Sequence, residues 1–175
     1  TSGYLNGLKC LELVLHNGVD PLTGKEVGLK TGDPLKFTGI EQSMDALKAQ
    51  CIHCYDNIMR GYNIVVGYHI TYMPTSFSSM VMEGCIDSGK CTQEGGVKYT
   101  NTTTFFCGAA SVADSLAAID TLVFQKHKLT MAQLLDAMDK NFEGCEDIRQ
   151  MLINDAPKFG NDIDYVDAFA RKIVN

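Results

Sequence analysis

Cysteine and histidine side chains meet at one point of the sequence in a spacing that could bind a metal ion. Cys51 and Cys54 flank His53 in the run Cys-Ile-His-Cys, and thiolate and imidazole groups are the usual protein ligands of zinc. The two cysteines also continue a helical series of apolar positions, and no second ligand pair of matching spacing follows. Free cysteine is commonly buried as a small apolar residue. The pattern therefore favours packing within a helix, with a metal site as the alternative.

A thiol two residues from a carboxylate is the second candidate for chemistry. Cys85 and Asp87 in Gly-Cys-Ile-Asp could form a nucleophilic or radical centre with its own acid or base. Residues two apart on a helix point to different faces, and this segment has a helical pattern. A packing role for Cys85, beside Val81 and Met82, is therefore favoured.

Three aspartates near the end of the chain could suggest a calcium site. Asp162, Asp164 and Asp167 are closely spaced, but the segment lacks the central glycine and the final glutamate of a calcium-binding loop. Acidic residues in the first turn of a helix are explained by the helix dipole. The sequence therefore predicts a helix start here rather than a metal site.

Helices dominate the elements that must position these side chains. Apolar periodicity predicts helices over residues 5–16, 38–72, 76–87, 145–154 and 162–174, with two more that begin near Ser111 and Thr130. Residues 19–37 are predicted to form a long loop. Capping boxes are predicted at three helix starts, by Thr38 with Glu41, Ser111 with Asp114 and Thr130 with Gln133. The second helix could break at Gly61 or Gly67.

Residues 97–106 are the best strand candidate. They are rich in threonine and aromatic residues, follow Gly95-Gly96 and precede Gly108. A buried strand needs neighbours that satisfy its backbone hydrogen bonds, and no second strand is predicted. The chain is therefore expected to be incomplete by itself.

Composition excludes several classes of partner. The net charge is −6, which argues against nucleic acid and anionic membrane surfaces, since both attract clustered basic residues. No apolar run approaches the ~20 residues that cross a bilayer, and the first residues do not resemble a signal peptide. Seven scattered cysteines do not suggest a disulfide scaffold. The expected location is the cytoplasm, including that of an anaerobic cell.

Several stretches, taken in order along the chain, resemble motifs of the glycyl radical enzymes of the pyruvate formate-lyase type. Four lie in the second half: Glu-Gly-Gly-Val-Lys-Tyr at 94–99, Ala-Asp-Ser-Leu-Ala-Ala-Ile at 113–119 with 122–124, Asn-Phe-Glu-Gly at 141–144, and 156–162 with 165–167. Residues 11–18, 31–33, 73–77 and 85–90 also resemble the family. Four collinear motifs are far more specific than any one of them.

This resemblance implies an α/β fold, a ten-stranded barrel with helices outside and two radical-bearing loops inside. Residues 1–175 would form a helix-rich part of that barrel domain, with the thiyl cysteine loop and the glycyl radical domain absent. The family's thiyl cysteine lies upstream of the segment matching 5–16, and its radical glycine lies beyond the segment matching Asn175. No catalytic residue is expected within this chain, and Cys85 matches a later helical cysteine.

The resemblance also implies the chemistry and the partners of a longer parent protein. The parent would be a radical lyase that breaks a C–C, C–O or C–N bond of a small organic substrate, and this segment alone would be inactive. No bound cofactor is expected, because the radical is stored on a glycine outside the segment. A radical-SAM activating enzyme and a homodimer are the implied partners.

The reaction is predicted from departures from the family pattern. Dehydratases of the family commonly have Tyr-Asn where this chain has Tyr99-Thr100, and a glycine-rich turn where it has residues 102–107. This difference favours arylacetate decarboxylation, with an aromatic substrate beside Phe105 and Phe106 and a hydrogen bond from His16. The full set of predicted substrate contacts is His16, Thr103, Thr104, Phe105, Phe106 and Cys107.

Other interpretations remain open from the sequence alone. The phenylalanines could belong to the barrel core, and His16 could cap the end of its helix. The parent could instead be a radical dehydratase of a diol or of a hydroxyproline type. An alternative of another class is a non-catalytic helical interaction module, which would explain why the radical residues are absent.

Overall fold

The computed structural model describes residues 3–174, and most of them are helical. In chain order the elements are β1 (Gly3–Asn6), α1 (Gly7–Leu15), α2 (Ile40–Tyr72), α3 (Ser76–Ser79), α4 (Cys85–Ser88), β2 (Thr104–Cys107), α5 (Ala109–Ile119), α6 (Met131–Asp139), α7 (Glu146–Asn154) and α8 (Asp164–Val174). Short 3-10 turns lie at Pro34–Lys36 and Thr92–Glu94, and a π-helical turn, Asp120–Gln125, continues α5. No helix within residues 3–174 has the length and apolar character needed to cross a membrane.

These residues form two compact units. The first unit comprises residues 3–4 and 55–105, and the second unit comprises residues 5–54 and 106–174. The division falls within α2 and within both strands. Each unit is therefore made from two separate stretches of the chain.

The core of the second unit is built around α5. Its side chains Val112, Ala113 and Leu116 are fully buried, and α5 packs mainly against α8 and α1. Val14 of α1 and Val166 of α8 are also fully buried. Burial of each such aliphatic side chain contributes about 1.5–3 kcal/mol relative to exposure, so this helix sandwich stabilises the second unit.

The predicted strand is shorter than expected and has a partner within the chain. Only Thr104–Cys107 form β2, and β2 pairs with β1, whose residues had been assigned in part to the first helix. The expectation of one unpaired, well-buried strand is therefore wrong, since β2 alternates between half-buried and exposed residues. Residues 92–103 are turns and irregular backbone, which Gly95, at φ +79°, helps to make.

The predicted capping boxes have different outcomes. Thr130 caps α6, and its side chain and that of Gln133 satisfy each other's backbone N–H groups as predicted. At α2 the predicted pairing of Thr38 with Glu41 is wrong, because the Thr38 N–H donates to Gln42 Oε1 at 2.6 Å. The helix itself runs unbroken through Gly61 and Gly67.

Two other helix starts differ from the prediction. α5 begins at Ala109, after Gly108 at φ +85°, so Ser111 lies inside the helix and does not cap it. The helix predicted over 76–87 is two single turns, α3 and α4, because Gly84 at φ +95° interrupts it. Cys85 is buried, whereas Val81, which was expected beside it, is 82% exposed.

Candidate functional site

The predicted substrate contacts on β2 alternate between half-buried and exposed positions. In the first unit Phe105 is 48% exposed and stacks on Tyr4, with ring centroids 5.6 Å apart. Thr103 Oγ1 donates a hydrogen bond to Asn101 Oδ1 at 3.1 Å, and Thr104 is half-buried. One face of the Phe105 ring is therefore occupied by Tyr4, while about half of the side chain remains exposed.

Phe106 and Cys107 belong to the second unit. Phe106 is half-buried and its ring fills the space where a side chain at Gly7 would lie, so Gly7 is required for this contact. The same ring lines a cavity of about 380 Å³ together with residues of α2 and α8, among them Leu47, Cys51 and Lys172. Cys107 is exposed.

His16 lies at the C-terminal end of α1 and has two hydrogen-bond partners. Its Nδ1 is 2.8 Å from the Glu12 carbonyl oxygen and its Nε2 is 2.9 Å from Asp139 Oδ1 on α6. Both partners present oxygen atoms to the ring nitrogens, and both belong to the protein. His16 does not line the cavity beside Phe106, and its observed contacts are those of a helix-end residue.

A larger cavity of about 600 Å³ lies between α1, α5, α6 and α7 of the second unit. Apolar side chains dominate its lining, and Lys9, Glu12, Asp114 and Lys158 contribute charge. Sequence reasoning missed this cavity. The apolar periodicity of residues 5–16 was recognisable, and Leu11 and Leu15 of that helix line the cavity, but the convergence of four helices was not.

A buried carboxylate was also missed. Asp120 is 7% exposed and lies in the π-helical turn, where it accepts hydrogen bonds from the Tyr165 hydroxyl and from Gln125 Nε2. Burial, and then the hydrogen bond with Asp120, raises the pKa of Tyr165 to about 12. π-Helical turns are often found at functional sites, but here every observed partner of Asp120 is structural.

The residues considered as metal ligands are placed as packing and helix-start residues. Cys51 and Cys54 are half-buried thiols on α2, while Asp164 and Asp167 lie in the first turn of α8. Among residues 3–174 no group of three or more histidine, cysteine, aspartate or glutamate side chains has the arrangement of a metal site. Cys85 is buried in the single turn α4.

Comparison with known proteins identifies clear relatives. The sequence model described as pyruvate formate lyase-like matches residues 1–175. The chain is 39% identical over 174 residues to trans-4-hydroxy-L-proline dehydratase of Clostridioides difficile, which covers 99% of this chain and 22% of that protein. It is 29% identical over 195 residues to indoleacetate decarboxylase of Tractidigestivibacter scatoligenes, covering 97% of this chain and 22% of the relative.

Solved structures agree with these matches. The hydroxyproline dehydratase of Clostridioides difficile, solved with trans-4-hydroxy-L-proline bound, superposes with a TM-score of 0.93 over 97% of this chain and 22% of that one. The B12-independent glycerol dehydratase of Clostridium butyricum, solved with glycerol, gives a TM-score of 0.90 at 33% identity, over 97% of this chain and 21% of that chain. The chain thus spans about a fifth of the length of the relatives it matches.

Proposed function

Because this chain belongs to the pyruvate formate lyase-like family, we propose that it is part of a glycyl radical lyase that removes water from a small hydroxylated substrate. Its fold matches a helix-rich segment of glycyl radical enzyme barrels. The activity belongs to a protein longer than these 175 residues. The residues that carry the radical are proposed to lie outside them.

The likeness to the hydroxyproline dehydratase carries this proposal. Identity to that relative is ten percentage points higher than identity to the indoleacetate decarboxylase, over nearly the same part of the chain. The comparisons therefore support the dehydratase alternative better than the arylacetate decarboxylation predicted from Phe105 and Phe106. Both rings have protein partners, Tyr4 and Gly7 respectively, so their presence does not by itself indicate an aromatic substrate.

The proposed substrate class is a hydroxylated cyclic amino acid such as trans-4-hydroxy-L-proline, with small diols as the next candidates. In a radical dehydration the thiyl radical of the full-length enzyme takes a hydrogen atom from the carbon beside the one that bears the hydroxyl. The hydroxyl gains a proton and leaves as water, the substrate gives up a proton in turn, and the product radical then recovers the hydrogen atom from the thiol. A protein must therefore hold the substrate in one orientation and supply a proton donor close to the hydroxyl. No residue of this chain is assigned that donor role.

The predicted contacts of Thr103, Thr104, Phe105, Phe106 and Cys107 with the substrate form part of this proposal. Strand ends position binding residues in many enzymes, and these five residues span β2 and its first flanking residue.

His16 belongs to the same proposal, but its test must separate a substrate contact from the hydrogen bonds it makes within the protein. His16→Ala removes the ring, whereas Asp139→Ala removes only the bond to Nε2. A loss of kcat/KM of tenfold or more in the first variant alone would support a substrate contact. Equal losses in both variants would assign His16 a structural role.

The reaction is tested with the full-length protein after activation by a radical-SAM activating enzyme, which we propose as its partner, and with its oligomeric state measured for the proposed homodimer. Trans-4-hydroxy-L-proline, glycerol and indoleacetate are supplied separately, and products are identified by mass spectrometry. We expect loss of water from the hydroxylated amino acid. Release of carbon dioxide from indoleacetate without any dehydration would contradict the proposal.

A further inference from the structure

The cavity of about 600 Å³ between α1, α5, α6 and α7 has a buried floor and an exposed rim. Leu11 of α1, Ile119 of α5 and Leu134 of α6 line it and are only 3–4% exposed. Leu8 and Ile153 also line it, and they are 42% and 47% exposed. Binding sites commonly have this size and apolar character, so this four-helix cavity has room for an occupant.

The polar side chains that line the four-helix cavity have hydrogen-bond partners within the protein. The charged groups pair as follows: Lys9 Nζ with the Glu12 and Asp20 carboxylates, Asp114 Oδ1 with the Phe159 N–H group at 2.6 Å, and Lys158 Nζ with the Leu152 carbonyl oxygen at 2.8 Å. The uncharged residues Asn6 and Ser115 bind backbone groups of α1 and α5. An occupant therefore meets apolar surface and polar groups that are already hydrogen-bonded, which favours an apolar occupant.

The loop between α6 and α7 places Phe142 in the cavity wall through an unusual backbone conformation. Asn141 at φ +49° and Phe142 at φ +60° are successive non-glycine residues in the left-handed region, which is unfavourable for a bulky side chain. The Phe142 N–H donates to the Ala137 carbonyl oxygen at 2.7 Å. Such strain persists only where surrounding contacts fix it. Packing of an occupant against the half-buried Phe142 ring would help to stabilise this conformation.

The surroundings of the cavity distinguish between three kinds of occupant. A second copy in a two-fold dimer places the same surface against itself, and a concave surface does not complement itself. A small molecule is usually oriented by a few polar groups that point into its site, whereas here those groups bind the protein. This chain spans about a fifth of the length of its relatives, so the full-length protein has further polypeptide that can supply apolar side chains.

We propose that a segment of the full-length polypeptide outside residues 1–175 inserts apolar side chains into the four-helix cavity. The segment contacts Leu134 at the floor, Phe142 in the wall and Ile153 at the rim. Its inserted side chains are aliphatic or aromatic, because an inserted charge would lose its hydration among mostly apolar residues. This inference rests on the proposal that the activity belongs to a longer protein, but it does not depend on which reaction that protein performs.

Photo-cross-linking in the full-length protein tests this contact directly. Ile153→p-benzoylphenylalanine places a photoreactive group at the rim of the cavity, at a side chain that is exposed in this chain. After irradiation and digestion, mass spectrometry should find a cross-link within one polypeptide, between position 153 and a peptide outside residues 1–175. The proposal is overturned if the cross-link stays within residues 1–175, joins two copies, or does not form.

A second variant tests whether the segment occupies the cavity itself. Ser115 is half-buried and lines the cavity, so Ser115→Leu adds apolar volume inside it. Because overpacking disfavours the inserted arrangement, the yield of the cross-link from position 153 should fall about tenfold. Ser111 is exposed one turn earlier on α5, so Ser111→Leu is the matched control and should leave the yield unchanged. Equal yields in the two variants would contradict insertion.

Nile red, a neutral apolar dye, tests the small-molecule alternative on the same full-length variants. If the segment fills the cavity, Ser115→Leu and Ser111→Leu should give the same dye fluorescence. Dye binding that Ser115→Leu abolishes and Ser111→Leu retains would show an open cavity and overturn the proposal. Hydrogen exchange of the α5 amides checks that both variants are folded. None of these readouts requires turnover, so failure of this contact is distinguishable from failure of the proposed dehydratase activity.

Discussion

The two units differ in where their apolar side chains lie. The second unit buries many apolar side chains, from Leu5 near its start to Ala170 near its end. Among the described residues of the first unit, Cys85 is the single buried apolar side chain. The first unit instead exposes large apolar residues, including Ile64, Phe77 and Val81. The first unit still contains the later part of α2, a long helical stretch, so regular backbone structure alone does not make a core.

This difference shows which part of the chain supplies its own stability. Many exposed apolar side chains beside a single buried one are uncommon on a free-standing protein, and such residues often lie where another polypeptide packs. The relatives are about five times longer than this chain, and they belong to a barrel fold. We therefore expect the first unit to be covered in the full-length protein, while the second unit holds its structure through its own packing.

The largest expected effect is a core truncation in the second unit. Leu116 is fully buried on α5, so Leu116→Ala should reduce the free energy of unfolding of that unit by about 2–5 kcal/mol through lost transfer energy and a residual cavity. Leu22, which is 89% exposed, provides the matched control, and Leu22→Ala should change stability by no more than about 0.5 kcal/mol. Hydrogen exchange of the α5 and α8 amides measures the change in stability in each variant. Similar losses of stability in the two variants would contradict the view that the second unit is stabilised by its own buried core.

A second prediction concerns what orders the first unit in place of a core. Its turn region is held by backbone hydrogen bonds, including Lys98 N–H to the Glu83 carbonyl at 2.9 Å and Gly96 N–H to the Cys91 carbonyl at 3.0 Å. A side chain at Gly96 would overlap the carbonyl of Lys90. Gly96→Ala should therefore cost about 2 kcal/mol through backbone strain.

The same variant separates the two units. Amides of residues 76–99 should lose protection from hydrogen exchange in Gly96→Ala, while those of α1 and α5 keep theirs. Gly39 has open space around it, so Gly39→Ala is the control and should leave both regions unchanged. Equal loss of protection in both units would show that they unfold together.

A smaller effect is expected from the polar contact inside the second unit. Tyr165→Phe removes a hydrogen bond from the buried carboxylate of Asp120, which should cost about 1–3 kcal/mol because that acceptor loses a partner. Tyr68→Phe, at an exposed position, is the control and should be nearly neutral.

The pH dependence of the Tyr165 contact has a defined sign. The pKa of Tyr165 is raised from 10.0 to about 12, so its contribution is fully present below pH 10 and is lost as the pH rises from about 10 to about 12. The Tyr165→Phe variant should therefore lose less stability than the unchanged protein as the pH rises from about 10 to about 12. An unchanged alkaline profile in the variant would show that the Tyr165 hydroxyl ionises as freely in the folded protein as in the unfolded chain.

Sequence reasoning succeeded with the family motifs and with one of the three predicted capping boxes, and it failed where distant residues meet. The capping box of Thr130 and Gln133 is complete within four residues, so its outcome could be predicted. β1 is four residues long and exists because it pairs with β2, about a hundred residues later, and nothing local distinguishes it from a helix start. Positive φ at Gly84 could not be inferred from a continuous apolar pattern.

The candidate site shows the same limit. Phe106 was selected because of its chemistry, but its cavity is formed by α2 and α8, which lie far from it in sequence. The aromatic-substrate hypothesis treated Phe105 and Phe106 as two equivalent walls. Alternation along β2 gives the two rings different neighbours, Tyr4 for Phe105 and Gly7 for Phe106. The family motifs identified the protein class, whereas the proposed substrate class rests on the comparison with relatives.

The smallest predicted effect is also the most direct test of whether another part of the full-length protein covers the first unit. Gly61 lies inside α2, in the part that belongs to the first unit, and nothing lies within 4 Å of a Cβ built there. In the 175-residue chain, Gly61→Ala should stabilise α2 by about 0.5–1 kcal/mol, because alanine loses less backbone freedom on forming a helix. In the full-length protein a covering segment that packs closely on this face would leave no room for the added methyl group, and overpacking costs about 1–3 kcal/mol. The sign of the effect should therefore reverse between the two proteins. Helix stability is measured in both by hydrogen exchange of the amides that follow Gly61 in α2, with Gly39→Ala as the control outside that helix. A gain of the same size in both proteins would show that this face of α2 stays open to solvent. In that case α2 would not belong to the part of the first unit that is covered in the full-length protein.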